Sequence, residues 1–352
     1  MSYTFNNIQT QKNWTPPKDW LTIKTIEMHT GGEPLRVIID GFPEIKGNSV
    51  LECRNYVKEN YDHLRKALMH EPRGHADMYG CLLLPPNDEE GDFGILFLHN
   101  EGYSTMCGHA IIAIATLAVE MHWVEVKSPI TEIKIDAPCG RIHTFIKITA
   151  GRVEGVCFHC VPSFVVALDE VVEVEGLGKV EYDLAYGGAF YAYVDSNKLS
   201  IPLVPENYSL LIQKGMDIKR AVMAQSDKVV HPFEEDLSFL YGTIFIGGPV
   251  SDGLDSRNVC IFAEGEVDRC PTGSGVSGRM PIHYARQEVA IDEVMTIESI
   301  TGSVFKGSVV KEVAYGPFQA VIPQVEGTAH ITGTCEFAID PNDPFKYGFF
   351  LR

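Results

Sequence analysis

The chemistry of this chain is concentrated first at Cys107, which stands with Gly108 and His109 before an apolar run at residues 110–119. Nine of these ten residues are apolar, so the run predicts a helix that is buried on all sides. The first turn of a helix presents free N–H groups and the positive end of its dipole, which favour a thiolate. Such a position lowers a thiol pKa from about 8.5 to about 3.5–7.5. Cys107 is therefore a candidate base or nucleophile, and the alternative is a cysteine that only packs the core.

A second helix start of the same kind is expected within residues 268–275, where Thr272 precedes a glycine and a serine. If the two helix starts face one cleft, their backbone N–H groups can hold one carboxylate. The groups concerned belong to Gly108, His109, Gly273 and Ser274. The alternative role for Thr272 is that of a helix N-cap, and the two roles are compatible.

Three other patterns are weaker. Residues 273–278 spell GxGxxG, but residues 268–272 separate it from the preceding strand and no βαβ unit follows, as a dinucleotide site would require. Cys157 and Cys160 form a CxxC pair on an expected strand, where they point to opposite faces. The histidines of the first half show no metal-ligand spacing such as HExxH. We therefore expect neither a nucleotide nor a metal.

The composition favours an enzyme that acts on small molecules. The chain has 352 residues, of which 45% are hydrophobic and 22% charged, values typical of a soluble globular protein with two domains. Its net charge of −18 opposes binding to nucleic acid or to an anionic membrane. The nine cysteines lack a disulfide framework, and the first twenty residues lack a secretion signal. We expect reduced thiols and a cytoplasmic protein.

The same order of strands, glycine pair and helix occurs twice along the chain. A pair of glycines lies between two apolar strands at residues 31–32 and again at 187–188, and each pair precedes one of the two helix starts. Alternating strands follow each expected helix, over residues 130–162 and 294–337. We interpret this order as a duplicated α/β unit, with one domain over residues 1–180 and the other over 181–352. The sequence leaves open whether the last strand crosses back to the first domain.

Three ordered motifs resemble the signatures of the proline racemase family. They are Met28–Pro34, Met106–His109 and Asp268–Gly275. The resemblance extends from about Ile23 to Phe350. It implies an α/β (α+β) fold of two pseudo-symmetric domains, each a β-meander or barrel-like sheet wrapped around a central helix, as in diaminopimelate epimerase. The resemblance also implies a site in the cleft between the domains, and a homodimer.

In the racemases of this family two cysteines face each other across the substrate, whereas Thr272 occupies the second position here. This departure resembles the trans-3-hydroxy-L-proline dehydratase branch of the family, as do residues 98–103 and 240–243. The resemblance implies substrate contacts at Gly108, His109, Asp268, Gly273 and Ser274. It implies that Asp268 receives the ring ammonium, although a carboxylate at a helix start also complements the dipole.

The chemistry of one thiol favours the same branch. Inversion at Cα needs an acid opposite the base, and the Thr272 alcohol is too weak an acid near neutral pH. Dehydration needs only removal of the Cα proton by Cys107, stabilisation of the enediolate by the helix N–H groups, and loss of a β-hydroxyl. The expected product is Δ1-pyrroline-2-carboxylate, and no pyridoxal, flavin or other cofactor is required.

Stereochemistry constrains the acid that protonates the leaving hydroxyl. In trans-3-hydroxyproline the hydroxyl and the Cα hydrogen lie on the same face of the ring, so the elimination is syn. The acid should therefore lie on the side of Cys107. We expect His109 or the protonated thiol itself in this role, and His99 is a weaker candidate.

Two other functions stay open. Cys270 lies two residues before Thr272, so Cys107 and Cys270 could form the thiol pair of a proline racemase or hydroxyproline 2-epimerase. A non-catalytic imino-acid binding protein is the alternative of another class. Chiral analysis of the product distinguishes an epimerase from a dehydratase. Binding of the imino acid without formation of a cyclic imine, which a trapping reagent detects, indicates the binding protein.

Overall fold

The computed structural model describes residues 3–10 and 14–351, which form six helices and seventeen strands. The helices are α1 (Tyr3–Thr10), α2 (Val50–Asn60), α3 (Asp62–Met69), α4 (Gly108–Glu120), α5 (Tyr208–Gln225) and α6 (Gly273–Ala285). Two single 3-10 turns lie at Pro205–Asn207 and Glu235–Leu237. Two of the helices, α4 and α6, begin at the two predicted helix starts.

The strands are hydrogen-bonded to one another in one continuous network. The first nine are β1 (Leu21–Thr30), β2 (Glu33–Asp40), β3 (Tyr79–Leu84), β4 (Phe93–His99), β5 (Ile130–Ala137), β6 (Gly140–Thr149), β7 (Arg152–His159), β8 (Ser163–Val174) and β9 (Gly178–Tyr186). The others are β10 (Phe190–Asp195), β11 (Leu240–Gly247), β12 (Ser256–Phe262), β13 (Glu266–Val267), β14 (Met295–Glu298), β15 (Val304–Tyr315), β16 (Phe318–Gly327) and β17 (Ala329–Ile339). Most neighbouring strands pair antiparallel, as expected of meanders.

Helix α4 forms the centre of the first half. Every residue from Gly108 to Val119 is buried, as the unbroken apolar run predicts. The helix packs against β1, β2, β6, β7, β16 and β17. It has thirteen residues, and within residues 3–10 and 14–351 no helix is long and apolar enough to span a membrane. The apolar run is therefore a core helix.

Helix α6 forms the centre of the second half and packs against β8, β9, β10, β15 and β16. Its first turns are rich in glycine and serine, which are poor helix formers. Close packing explains this composition, because a Cβ on Gly278 would lie 2.3 Å from Tyr193 Oη and one on Gly275 would lie 2.4 Å from Ile244 Cδ1. The predicted fold class, with sheets wrapped around two central helices, is confirmed.

The last strand lies beside the first. β17 pairs antiparallel with β1 from Leu21 opposite Ile339 to Thr30 opposite Ala329, with one register shift after Glu27. Both strands pack on α4, so the end of the chain covers the helix that carries Cys107. The division of the chain at residue 180 stays a prediction.

Candidate active site

Cys107 is the N-cap of α4. Its backbone is extended, with φ −148° and ψ 100°, and the Ile111 N–H donates to its carbonyl at 3.0 Å. The side chain is 5% exposed, and its Sγ lies 3.1 Å from Nδ1 of His109. The predicted helix start is therefore correct, and the thiol is paired with the imidazole of the first turn.

Thr272 occupies the equivalent position before α6. Its φ of +68° is in the left-handed region, which a β-branched residue rarely adopts and which marks a constrained backbone. The side chain is buried, and its hydroxyl makes no well-formed hydrogen bond with a described residue, although it lowers the pKa of the neighbouring Asp268 carboxyl. The hydroxyl is therefore available to a molecule in the site, and the Val276 N–H donates to the Thr272 carbonyl at 2.7 Å.

The first residues of α4 and α6 touch each other. A Cβ added to Gly108 would lie 2.5 Å from Gly273 Cα, and a Cβ added to Gly273 would lie 2.6 Å from Gly108 Cα. The Thr30 hydroxyl fixes the start of α4 by donating to the His109 carbonyl at 2.9 Å. Only glycine at both positions allows the two helix N-termini to meet, and their free N–H groups thereby share one small volume.

That volume is a small cavity between the two helix starts. All of the predicted site residues line it: Cys107, Gly108, His109, Asp268, Thr272, Gly273 and Ser274. The structure thus brings together residues from the two halves of the chain.

Five further residues complete the wall of the cavity and were not predicted: Tyr79, Met106, Tyr191, Tyr241 and Phe262. Tyr191 donates to or accepts from Ser274 Oγ at 2.8 Å, which orients that serine. Each aromatic residue lies in or beside an apolar strand, where the sequence indicates only core packing. Two of the five carried a signal, because Tyr241 belongs to residues 240–243 and Met106 to the Met106–His109 motif of the family resemblance.

The pKa of the Cys107 thiol differs from the prediction. Burial raises it well above its ordinary value, while hydrogen bonds from the Ala110 N–H and the Tyr79 hydroxyl lower it by less. The nearby acids Asp268 and Glu33 raise it further. The predicted lowering by the helix start is wrong as a net effect, because desolvation in a closed site outweighs the N–H groups.

His109 is neutral in this environment. Burial lowers its pKa to about 3, and a hydrogen bond to the Pro34 carbonyl acts weakly in the opposite direction. A ring nitrogen that donates to Pro34 leaves the other as an acceptor, and Nδ1 is the nitrogen nearer to the Cys107 sulfur. The imidazole is thus arranged to accept a hydrogen bond from the Cys107 S–H group.

Asp268 and Glu33 form a pair of buried acids. The Cys270 N–H donates to Asp268 Oδ1 at 2.8 Å, and the Arg269 N–H donates to Glu33 Oε2 at 2.7 Å. Burial raises the pKa of both carboxyls, and the charge of Asp268 raises that of Glu33 further. We infer that Glu33 holds the proton of the pair, since its pKa is raised well above its ordinary value.

Cys270 is fully buried but is not among the residues that line the cavity. The Thr272 N–H donates to its Sγ at 3.4 Å, and its Cβ lies against Gly31, where an added Cβ would be 3.1 Å away. The donor atoms of Cys270, Asp268 and His109 lie within 4.8 Å of one another, a set that could hold a soft divalent cation. The expectation of a metal-free protein stays a prediction.

His99 lies behind the cavity wall. Its Nδ1 is 3.2 Å from Glu266 Oε1, and its ring stacks on Tyr79 with centroids 5.8 Å apart and planes 26° apart. It does not line the cavity. It contacts the site through Tyr79, Tyr241 and Phe262, which line the cavity.

The proline racemase family profile matches residues 25–350 of this chain. The chain is 50% identical over 344 residues to the trans-3-hydroxy-L-proline dehydratase of Colwellia psychrerythraea, covering 97% of each protein. It is 44% identical over 331 residues to the 3-hydroxyproline 2-epimerase of Burkholderia multivorans, covering 94% of this chain and 98% of that protein. The crystal structure of a hydroxyproline epimerase from Agrobacterium vitis, with bound trans-4-hydroxy-L-proline, superposes with a TM-score of 0.88 at 30% identity, over 94% of this chain and 96% of that one.

Proposed function

Because the chain belongs to the proline racemase family, we propose that it dehydrates trans-3-hydroxy-L-proline to Δ1-pyrroline-2-carboxylate. The observation that carries the proposal is the asymmetry of the cavity, which has the Cys107 thiol at one helix start and the Thr272 alcohol at the other. One thiol suffices to remove a Cα proton, whereas inversion needs a second acid of suitable pKa. The relatives named as dehydratases support the proposal.

Substrate binding uses the two helix starts. The substrate carboxylate takes the N–H groups of Gly108, His109, Gly273 and Ser274, and the ring ammonium pairs with Asp268. This pairing neutralises the charge of Asp268, which raises the pKa of the Cys107 thiol. Binding therefore favours the thiolate that the reaction needs.

Dehydration then proceeds on one face of the ring. Cys107 takes the Cα proton, and the electron pair spreads into the carboxylate, where the helix N–H groups stabilise it. The Cβ–O bond breaks, water leaves, and the enamine product tautomerises to the cyclic imine. The substrate's own hydroxyl accepts the electrons, so we propose that no cofactor takes part.

We also propose a cellular location and an oligomeric state. All nine cysteines are free thiols, of which Cys107 must stay reduced to act, and this requirement supports a cytoplasmic location. The family resemblance supports a homodimer.

Incubation with trans-3-hydroxy-L-proline tests the proposal. We expect a cyclic imine that o-aminobenzaldehyde traps, and no imine from trans-4-hydroxy-L-proline, whose hydroxyl is one carbon too far for β-elimination. An epimerase acting through Cys107 and Cys270 instead yields a D-configured hydroxyproline, which chiral chromatography detects. Binding with neither product indicates an imino-acid binding protein, and either of these results overturns the proposal.

The rate should rise with pH. Only the thiolate of Cys107 abstracts a proton, and because the thiol pKa is raised, kcat/KM should increase by about tenfold per pH unit between about pH 6.5 and 8.5. The groups that face the sulfur are His109, Tyr79, Asp268 and Glu33. The thiolate absorbance at 240 nm, taken as the difference between the wild type and Cys107→Ser, should rise over the same pH range or at higher pH. A plateau in both curves below pH 7 contradicts a raised thiol pKa.

A further inference from the structure

Loss of the β-hydroxyl needs an acid, because hydroxide is a poor leaving group near neutral pH. In the trans substrate the hydroxyl lies on the ring face from which Cys107 removes the proton. The acid must therefore lie on the Cys107 side of the cavity. His109, Tyr79, Tyr191 and Tyr241 line the cavity and carry a titratable proton. Of these four residues, His109 contacts the Cys107 sulfur and Tyr79 lowers the pKa of the Cys107 thiol.

Tyr79 is held rigidly at this place. It begins β3, is 2% exposed, and hydrogen-bonds through its hydroxyl to Ser104 Oγ. Its ring packs edge-on against His109, with centroids 4.8 Å apart, and stacks on His99. Tyr79 lines the cavity together with Cys107, and its hydroxyl lowers the pKa of the Cys107 thiol. A substrate over Cys107 therefore has the Tyr79 phenol on the same side.

His109 is less suited to give a proton. Its pKa of about 3 leaves it neutral, and its remaining N–H is directed to the Pro34 carbonyl. Burial raises the pKa of Tyr79 well above its ordinary value, with Cys107 as a further cause, so the phenol keeps its proton until a strong base takes it. A departing hydroxide is such a base.

We propose that Tyr79 is the catalytic acid that protonates the hydroxyl leaving Cβ. The assignment rests on the dehydration proposed above and deepens it. Ser104 and His99 are positioning residues, since they contact the Tyr79 hydroxyl and ring, and Glu266 holds His99.

The step balances within the site. The Cα proton passes to the Cys107 sulfur, the Cα–H electron pair forms the double bond to Cβ, and the Cβ–O pair leaves with oxygen. That oxygen takes the Tyr79 proton and departs as water. The Cys107 thiol then returns a proton to the Tyr79 phenolate, which restores the starting protonation states of both residues.

Tyr79→Phe tests the proposal by removing one hydroxyl. We expect dehydration of trans-3-hydroxy-L-proline to slow by about 100-fold in kcat, the scale of general acid catalysis. Exchange of the L-proline Cα hydrogen in D2O, which needs only the base, should change by less than about fivefold, since the phenol lowers the thiol pKa only modestly. Elimination from trans-3-chloro-L-proline should likewise persist, because chloride leaves without a proton.

Tyr186→Phe is the matched control. Tyr186 is equally buried, lies outside the cavity, and no described residue lies within hydrogen-bonding distance of its hydroxyl, so this variant should dehydrate as the wild type does. Thermal unfolding of both variants checks that each is folded.

Three results overturn the proposal. The first is a wild-type rate of dehydration in Tyr79→Phe. The second is an equal loss of dehydration, Cα hydrogen exchange and chloride elimination in that variant, which indicates a structural role. The third is selective loss of dehydration in His109→Ala but not in Tyr79→Phe, which assigns the acid to His109. Failure of the proposed dehydration differs from failure of the Tyr79 assignment, because in the former case the wild-type protein itself releases no imine.

Discussion

Cys107→Ser should lose dehydration and Cα hydrogen exchange together, each by about 10,000-fold, the upper range for a general base. A serine alcohol keeps the shape of the side chain but ionises far above neutral pH, so it cannot accept the Cα proton. The sulfur lies 3.1 Å from His109 Nδ1 at the start of α4, and no other thiol lines the cavity among residues 3–10 and 14–351. Trapped imine measures dehydration, and deuterium uptake into L-proline measures exchange.

Cys335→Ser is the control for this experiment. Cys335 lies in β17, is partly exposed and does not line the cavity, so the variant should keep wild-type rates. Exchange that persists in Cys107→Ser while dehydration is lost would show that another group removes the Cα proton.

Gly108→Ala should lower kcat/KM by about 1,000-fold. The added Cβ would lie 2.5 Å from Gly273 Cα and 2.9 Å from Phe158 Cζ, and the backbone of a second helix cannot move aside cheaply. The two helix starts must separate, which misplaces the N–H groups that hold the carboxylate and stabilise the enediolate. Steady-state kinetics and the affinity for pyrrole-2-carboxylate, a planar ring carboxylate, measure the effect.

Gly333→Ala is the matched glycine control. Gly333 lies in β17 with no heavy atom within 4 Å of an added Cβ, so its substitution should leave kcat/KM unchanged. Thermal unfolding separates a displaced site from a destabilised protein, since overpacking costs about 1–3 kcal/mol. A Gly108→Ala variant within about tenfold of wild type would mean that the helix starts need not touch for catalysis.

The proposed reaction depends on the residue at each helix start. Thr272 has the same backbone role as Cys107, since both are N-caps, but its alcohol cannot exchange a proton with Cα near neutral pH. Cys270, the residue that could restore a second thiol, has its sulfur on the Thr272 N–H and is not in the cavity wall. The proposed reaction therefore differs from inversion by one side chain rather than by a different fold.

The sequence by itself determined the central helices and the residues at their starts. An apolar run at 110–119 has no face for solvent, so it must be a core helix, and a glycine after Cys107 and after Thr272 permits close approach. These features depend on neighbouring residues in the chain, which is why pattern and spacing were sufficient to predict them.

Only the tertiary structure decided how the site is charged and what encloses it. Tyr79 and Phe262 come from strands distant in sequence, and their apolar surroundings indicated no more than core packing. The helix start at Cys107 predicted a lowered thiol pKa, but burial and the acids Glu33 and Asp268 reverse its direction. Desolvation and charge pairing are set by residues that folding brings from far along the chain, so no local pattern contains them.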